Sequence, residues 1–250
     1  MGEKAKQVSL FLPCLADLYY PALGRAAIKV LKQAGVRVAY PPDQTCCGQW
    51  AVNMGRLEPA RSLARHFLRV FAEAEAVVSP SGSCVLTVRQ HYPELFQGEP
   101  AWRNLAEEVA GRTYELTDFL VNVLGVIDLG ASYNARATFH DSCHPLRGLG
   151  LKKEPRLLLS QVRGLELSEM KDSEVCCGFG GAFMTKYPSL SRALVEEKID
   201  QARLSGAEII IISEPGCLLN VDSALKARGS GLKAVPLLQV LAGRDGGGDG

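Results

Sequence analysis

Two tripeptides, Cys46-Cys47-Gly48 and Cys176-Cys177-Gly178, carry the chemistry most readily read from this chain. Each has a cysteine upstream and another downstream. Thirty-one residues separate Cys14 from Cys46, and thirty-two separate Cys143 from Cys176. Thirty-six lie between Cys47 and Cys84, and thirty-nine between Cys177 and Cys217. The eight cysteines thus form two sets of four. Four soft thiolates suit zinc or an iron–sulfur cluster. Zinc modules usually supply their ligands in short C-x2–4-C pairs, which this pattern lacks. An adjacent Cys-Cys pair can instead hold two irons of one cluster, so the spacing favours iron–sulfur over zinc. Buried apolar thiols would not repeat in register, and disulfides do not fit the cytoplasmic reading of the chain.

The elements that must position these cysteines repeat as well. Strands are expected at Gln7 to Leu12, Val36 to Tyr40 and Ala76 to Ser79, then again at Ala137 to Asp141, Leu165 to Met170 and Glu208 to Ser213. Helical spacing of apolar residues marks Tyr20 to Ala34, Leu57 to Ala74, Glu154 to Val162, Ser189 to Leu204 and Leu218 to Ala227. Two further helices are expected near Pro100 to Ala110 and Leu116 to Leu124, and a short last element at Val235 to Leu241. Cys14 to Cys143 is 129 positions, Cys46 to Cys176 is 130 and Cys84 to Cys217 is 133, an internal duplication. Strands alternating with helices predict an α/β fold of two duplicated lobes with parallel strands, related by a pseudo-two-fold. The cysteines fall in loops at strand C-terminal ends, where sites of such sheets gather, so each set of four is expected to converge. The division expected is a first repeat over 1–98, connecting helices over 99–134, a second repeat over 135–245 and a disordered tail over 246–250.

The 250 residues are 47% hydrophobic and 22% charged, with a net charge of +1. That balance gives no reason to expect nucleic acid or an anionic membrane as partner. No apolar run approaches the roughly 18–20 residues of a spanning helix. The run from Val8 to Leu12 is too short for a signal peptide, and Pro13 argues against a lipoprotein site at Cys14. The chain therefore reads as cytoplasmic.

The pattern resembles the cysteine-rich, or CCG-domain, family. That family includes the cysteine-rich subunit of heterodisulfide reductase, the iron–sulfur subunit of glycolate oxidase and the matching subunit of anaerobic glycerol-3-phosphate dehydrogenase. Its repeat is Cys, Cys-Cys-Gly, then Cys-x-x-Cys, and the likeness runs from Cys14 to Cys217. Leu12-Pro13-Cys14-Leu15-Ala16-Asp17 and Cys177-Gly178-Phe179-Gly180-Gly181 resemble the lactate-utilization branch of that family. Ser81 and Glu214 stand where the family has the first cysteine of each Cys-x-x-Cys. Four thiolates per repeat, rather than five, suit cubane clusters.

The resemblance implies one or two [4Fe–4S] clusters, held by Cys14, Cys46, Cys47 and Cys84 and by Cys143, Cys176, Cys177 and Cys217. It implies an electron-transfer subunit of a complex oxidising L-lactate, or a related 2-hydroxy acid, to pyruvate. The partners would be a ferredoxin-like iron–sulfur protein and a third protein. The chain would be one oxidoreductase subunit rather than a complete enzyme. The alternatives are a heterodisulfide- or quinone-reducing subunit with catalysis at the cluster, and a zinc-stabilised adaptor without activity.

Gly48, Gly178 and Gly180, with Gly181, are expected to let backbone N–H groups approach cluster sulfur. His140 and His144 flank Cys143 and are candidates for hydrogen bonding to a cluster or for ligation, against the commoner reading of structural loop histidines. His66 and His91 read as surface residues. Arg25, Arg56, Arg61 and Arg147 read as solvated helix faces rather than an anion site.

Overall fold

The computed structural model describes residues 7–243 as two similar α/β lobes. The expected tail at 246–250 lies outside these residues. The first lobe is a four-stranded parallel sheet of β1 (Gln7–Leu10), β2 (Arg37–Ala39), β3 (Val77–Ser79) and β4 (Thr113–Glu115), in the order β2-β1-β3-β4. The second is built from β5 (Ser132–His140), β6 (Arg163–Leu167), β7 (Ile209–Ile212) and β8 (Lys233–Pro236), in the order β6-β5-β7-β8. Read in chain order, both lobes have the strand order 2-1-3-4. All pairings are parallel.

The chemistry of the strands follows their place. Ile209–Ile212 sits between β5 and β8 and is buried at every residue, as expected of a β-branched run covered on both faces. β4 and β8 are the strands that no apolar run announces. The segment over 99–134, expected as connecting helices, does carry Pro100–Gly111 and Leu116–Asp118, and it also carries β4. Thr113-Tyr114-Glu115 forms a strand because β3 presents an unpaired edge to it, a tertiary cause rather than a propensity. At the corresponding edge of the second sheet Pro236 ends β8, a position where a missing N–H costs nothing.

The lobes dock through equivalent helices. The helix after the fourth strand of each lobe packs on the helix that joins the first two strands of the other. Leu237–Leu241 lies on Ala22–Gln33, and Leu116–Asp118, with the π-helical turn Phe119–Val123 that continues it, lies on Lys153–Ser160. The helix after the third strand of each lobe meets the turn after the first strand of the other: Gly82–Leu86 meets His144–Gly148, and Pro215–Ala227 meets Cys14–Tyr19. These reciprocal contacts express the pseudo-two-fold. The approach is close: a Cβ on Gly82 would stand 2.5 Å from Cγ of Pro145. One continuous apolar core therefore spans both lobes, running from Leu10, Ala27 and Leu31 through Phe119 and Leu120 to Leu158, Ile210 and Leu238. A second cluster, built on Phe11, Phe67, Phe71, Tyr92 and Phe96, belongs to the first lobe. Among the described residues no helix is long and apolar enough to cross a membrane.

Candidate metal centre

All eight cysteines line one cleft between the lobes, with a cavity of about 300 Å³. Each comes from the C-terminal edge of its sheet, as the loop positions predict. The finer detail is that Cys14, Cys84 and Cys217 lie in the first turn of the following helix, within Cys14–Tyr19, Gly82–Leu86 and Pro215–Ala227. At Cys14 the Leu15 backbone N–H favours the thiolate, against the larger effects of the Cys46 contact and burial.

Within each lobe the four sulfurs come together. Cys14 Sγ lies 3.7 Å from Cys46 Sγ. Cys47 is linked to both Cys46 and Cys84, and in the second lobe Cys176 touches Cys143 while Cys177 touches Cys217. Cys46 and Cys176 are held far below the usual thiol range. The S–H of Cys14 or Cys143 is the main cause, followed by that of the next cysteine and by a backbone N–H, with burial opposing. Cys14 and Cys143 are pushed up by the same contact, then by burial and by the neighbouring negative charge. Cys217 is lowered as well, chiefly by the Cys177 contact, while Cys47 and Cys177 are pushed up, so each set accepts some thiolates readily and resists the rest. Only a cationic centre lets all four lose their protons together. The donor set of either lobe thus fits a thiolate-bound metal centre.

The glycines of the two tripeptides have two roles. Gly48 N donates to Cys46 Sγ at 3.4 Å, and Gly178 N donates to Cys176 Sγ at 3.3 Å. Both sit in the left-handed region, with φ of 81° and 84°. A Cβ at Gly178 would also stand 2.5 Å from the Ser191 carbonyl oxygen, so the helix Pro188–Leu204 leaves room only for glycine. Gly180, also left-handed at φ 51°, lines the cleft with Gly181.

Side chains from the helical segment after the third strand anchor the second cysteine of each pair. Tyr92 Oη donates to the Cys47 carbonyl at 2.9 Å, and Asn220 Nδ2 to the Cys177 carbonyl at 2.7 Å. Gln44 fixes the approach to the first set by bonding Leu12 N, Leu10 O and Pro41 O. Buried Lys198 does so for the second, donating to the carbonyls of Asp172 at 2.6 Å and Ser173 at 3.1 Å. Its signal in the sequence was a lysine on the apolar stripe of Val195, Ile199 and Ala202, which reads as a helix face and not as a site residue.

The two positions that depart from the family pattern meet each other. Ser81 and Glu214 are the N-cap residues of equivalent helices. Ser81 Oγ donates to Glu214 Oε1 at 2.7 Å, Ser83 Oγ to the same oxygen at 2.8 Å, and Ser83 N to Oε2 at 3.0 Å. All three residues are buried. Burial first, then the negative charge of Cys217, push the Glu214 carboxyl up to about 7 against these hydrogen bonds. This bridge between lobes has no signature in either repeat taken alone.

His144 also spans the lobes. Its Nε2 lies 3.3 Å from Gln49 Nε2, and its Nδ1 3.6 Å from Cys143 Sγ. With the amide donating, Nε2 accepts and the Nδ1 proton faces the sulfur. Burial lowers the His144 pKa, which keeps the ring neutral. His140 is buried at the end of β5. His66 and His91 remain at the periphery, against the Asp43 carbonyl and Glu94. Arg61 holds the Leu95 carbonyl and Arg147 the Glu174 carbonyl, while Arg25 and Arg56 are exposed.

Comparison with known proteins decides the family. The model of the cysteine-rich domain, CCG, matches residues 8–89 and again 137–222. The chain belongs to the cysteine-rich CCG-domain family. It is 43% identical over 236 residues to a lactate utilization protein A 2 of Bacillus cereus, covering 94% of this chain and 98% of that one. It is likewise 43% identical over 238 residues to lactate utilization protein A of Bacillus subtilis, covering 95% and 100%. Among solved structures, a hypothetical protein from Helicobacter pylori aligns with a TM-score of 0.66 at 12% identity. That alignment covers 96% of this chain and 49% of the other, so the chain spans about half of that protein's length. At this identity the likeness is one of fold.

Proposed function

We propose that the chain is the iron–sulfur electron-transfer subunit of a cytoplasmic system that oxidises L-lactate, or a related 2-hydroxy acid, to pyruvate. The observation that carries the reading is the convergence of two four-cysteine sets on one cleft. The similar proteins named for lactate utilization supply the substrate. Cys14, Cys46, Cys47 and Cys84 would hold one centre and Cys143, Cys176, Cys177 and Cys217 the other. Bound iron–sulfur clusters supply one-electron transfer. Oxidising a 2-hydroxy acid to a 2-oxo acid releases two electrons and two protons, and two centres in one cleft match that pair of electrons. The residues of this chain set the conditions: Gly48 N–H, Gly178 N–H and the His144 Nδ1 proton temper negative charge on sulfur. The hydroxy acid itself is oxidised on a companion subunit, with a ferredoxin-like iron–sulfur protein and a third protein as partners.

Mixing the reconstituted chain anaerobically with its two companion proteins and L-lactate should bleach its visible absorption and raise the electron paramagnetic resonance of a reduced cluster. A chain that dithionite reduces but lactate does not, with both companions present, contradicts the reading.

A further inference from the structure

His140 ends β5, paired with Ile212 of β7, and its side chain is 1% exposed. Neither ring nitrogen has a nitrogen or oxygen partner. An imidazole buried without nitrogen or oxygen partners must find its contacts elsewhere. The neighbouring carboxylate does not supply them, because Asp141 is committed to Arg156 and Ser173. What His140 does face is sulfur: a ring nitrogen, Cys177 Sγ and Cys217 Sγ all lie within 4.8 Å of one another. That is a three-donor set of soft and borderline ligands, buried throughout.

The first lobe has no equivalent. Leu10 pairs with Val78 as Phe139 pairs with Ile211, so the residue after Leu10, Phe11, takes the place of His140. Phe11 packs edge-on to Phe67 with ring centroids 4.9 Å apart and offers no donor. His144, the histidine that lines the cleft, already has Gln49 and Cys143 as neighbours.

We infer that His140 is a ligand of the second-lobe centre, beside Cys177 and Cys217, so that the two centres differ in ligand type. The first is held by four thiolates; in the second the imidazole takes one of the four iron positions beside three of the thiolates. A neutral nitrogen donor among thiolates lowers the negative charge of a cluster and raises its potential. The second centre is then the one with the higher potential, and electrons crossing the cleft run from the first set towards the second.

This inference rests on the iron–sulfur reading above, and one experiment separates their failures. The full chain is reconstituted anaerobically with iron and sulfide, partly reduced, and studied by pulsed electron paramagnetic resonance with and without 15N-histidine labelling. The expected result is a bonded-nitrogen coupling that responds to the label, survives in His144→Ala and disappears in His140→Ala. The same variant should lower the potential of one centre and leave the other in place. His140→Phe, which copies the first lobe, serves if alanine destabilises the fold, and should also lose the coupling. A reduced-cluster signal without histidine nitrogen, or a coupling that persists without His140, overturns the inference and leaves the iron–sulfur reading standing. No iron–sulfur signal at all removes both.

Discussion

Cys46→Ser and Cys176→Ser should each retain about half the iron of the parent chain, and the double variant almost none. Serine nearly matches cysteine in size, so what is lost is the soft ligand. These two positions are the most sensitive in each set. Cys46 accepts from Cys14 and from Gly48 N–H, and Cys176 accepts from Cys143 and Gly178 N–H. Each is therefore a sulfur ready to be a thiolate, Cys176 sharing that character with Cys217. The contacts among sulfurs stay within each lobe, which is why one site should survive loss of the other. Stability should behave differently from iron content. Because one apolar core spans both lobes, either variant should lower the unfolding midpoint of the whole chain rather than loosen one half. Iron and acid-labile sulfide per chain, with thermal unfolding, check both parts. Complete loss of iron from either single variant would mean that the ligand sets cross between lobes.

Glu214→Ala should destabilise the chain by about 2–5 kcal/mol, since Ser83 N and one of the two serine hydroxyl donors would lose their buried acceptor, the hydroxyls keeping only each other at 3.2 Å. At this chain length that corresponds to a fall in Tm on the order of 5–15 °C. Ser81→Ala should cost less, about 1–2 kcal/mol, because it removes one donor and a helix cap but leaves Ser83 on the carboxylate. Iron content separates bridging from ligation. If Glu214 and Ser81 bridge the lobes without binding metal, both variants should still bind nearly the full complement under folding conditions. Unfolding curves that match the parent for Glu214→Ala, or loss of half the iron in Ser81→Ala, contradict this role.

Much of this arrangement could be read from the chain before any coordinates. Paired Cys-Cys-Gly motifs at near-constant offset marked the duplication, and the Ile209–Ile212 run marked a central strand. Cysteines placed after strands had to gather at the C-terminal sheet edges, because parallel sheets put those loops on one side. The limits were equally physical. Thr113–Glu115 and Lys233–Pro236 are short edge strands whose neighbours, not their residues, make them strands. Two separate converging sets were legible, but their shared cleft depends on how Leu237–Leu241 meets Ala22–Gln33 and how Leu116–Asp118 meets Lys153–Ser160. The Ser81–Glu214 contact joins positions 133 residues apart, and its partners look unrelated when each repeat is read alone. His140 and His144 flank the same cysteine in sequence, yet only the strand register sends one into the core and the other to the lobe interface.

The most direct test of the account is iron and acid-labile sulfide per chain after anaerobic purification and reconstitution, read with the visible spectrum. Two four-cysteine sets predict a brown protein with roughly eight irons and as many sulfides at full loading. A colourless chain holding stoichiometric zinc and no acid-labile sulfide would contradict it.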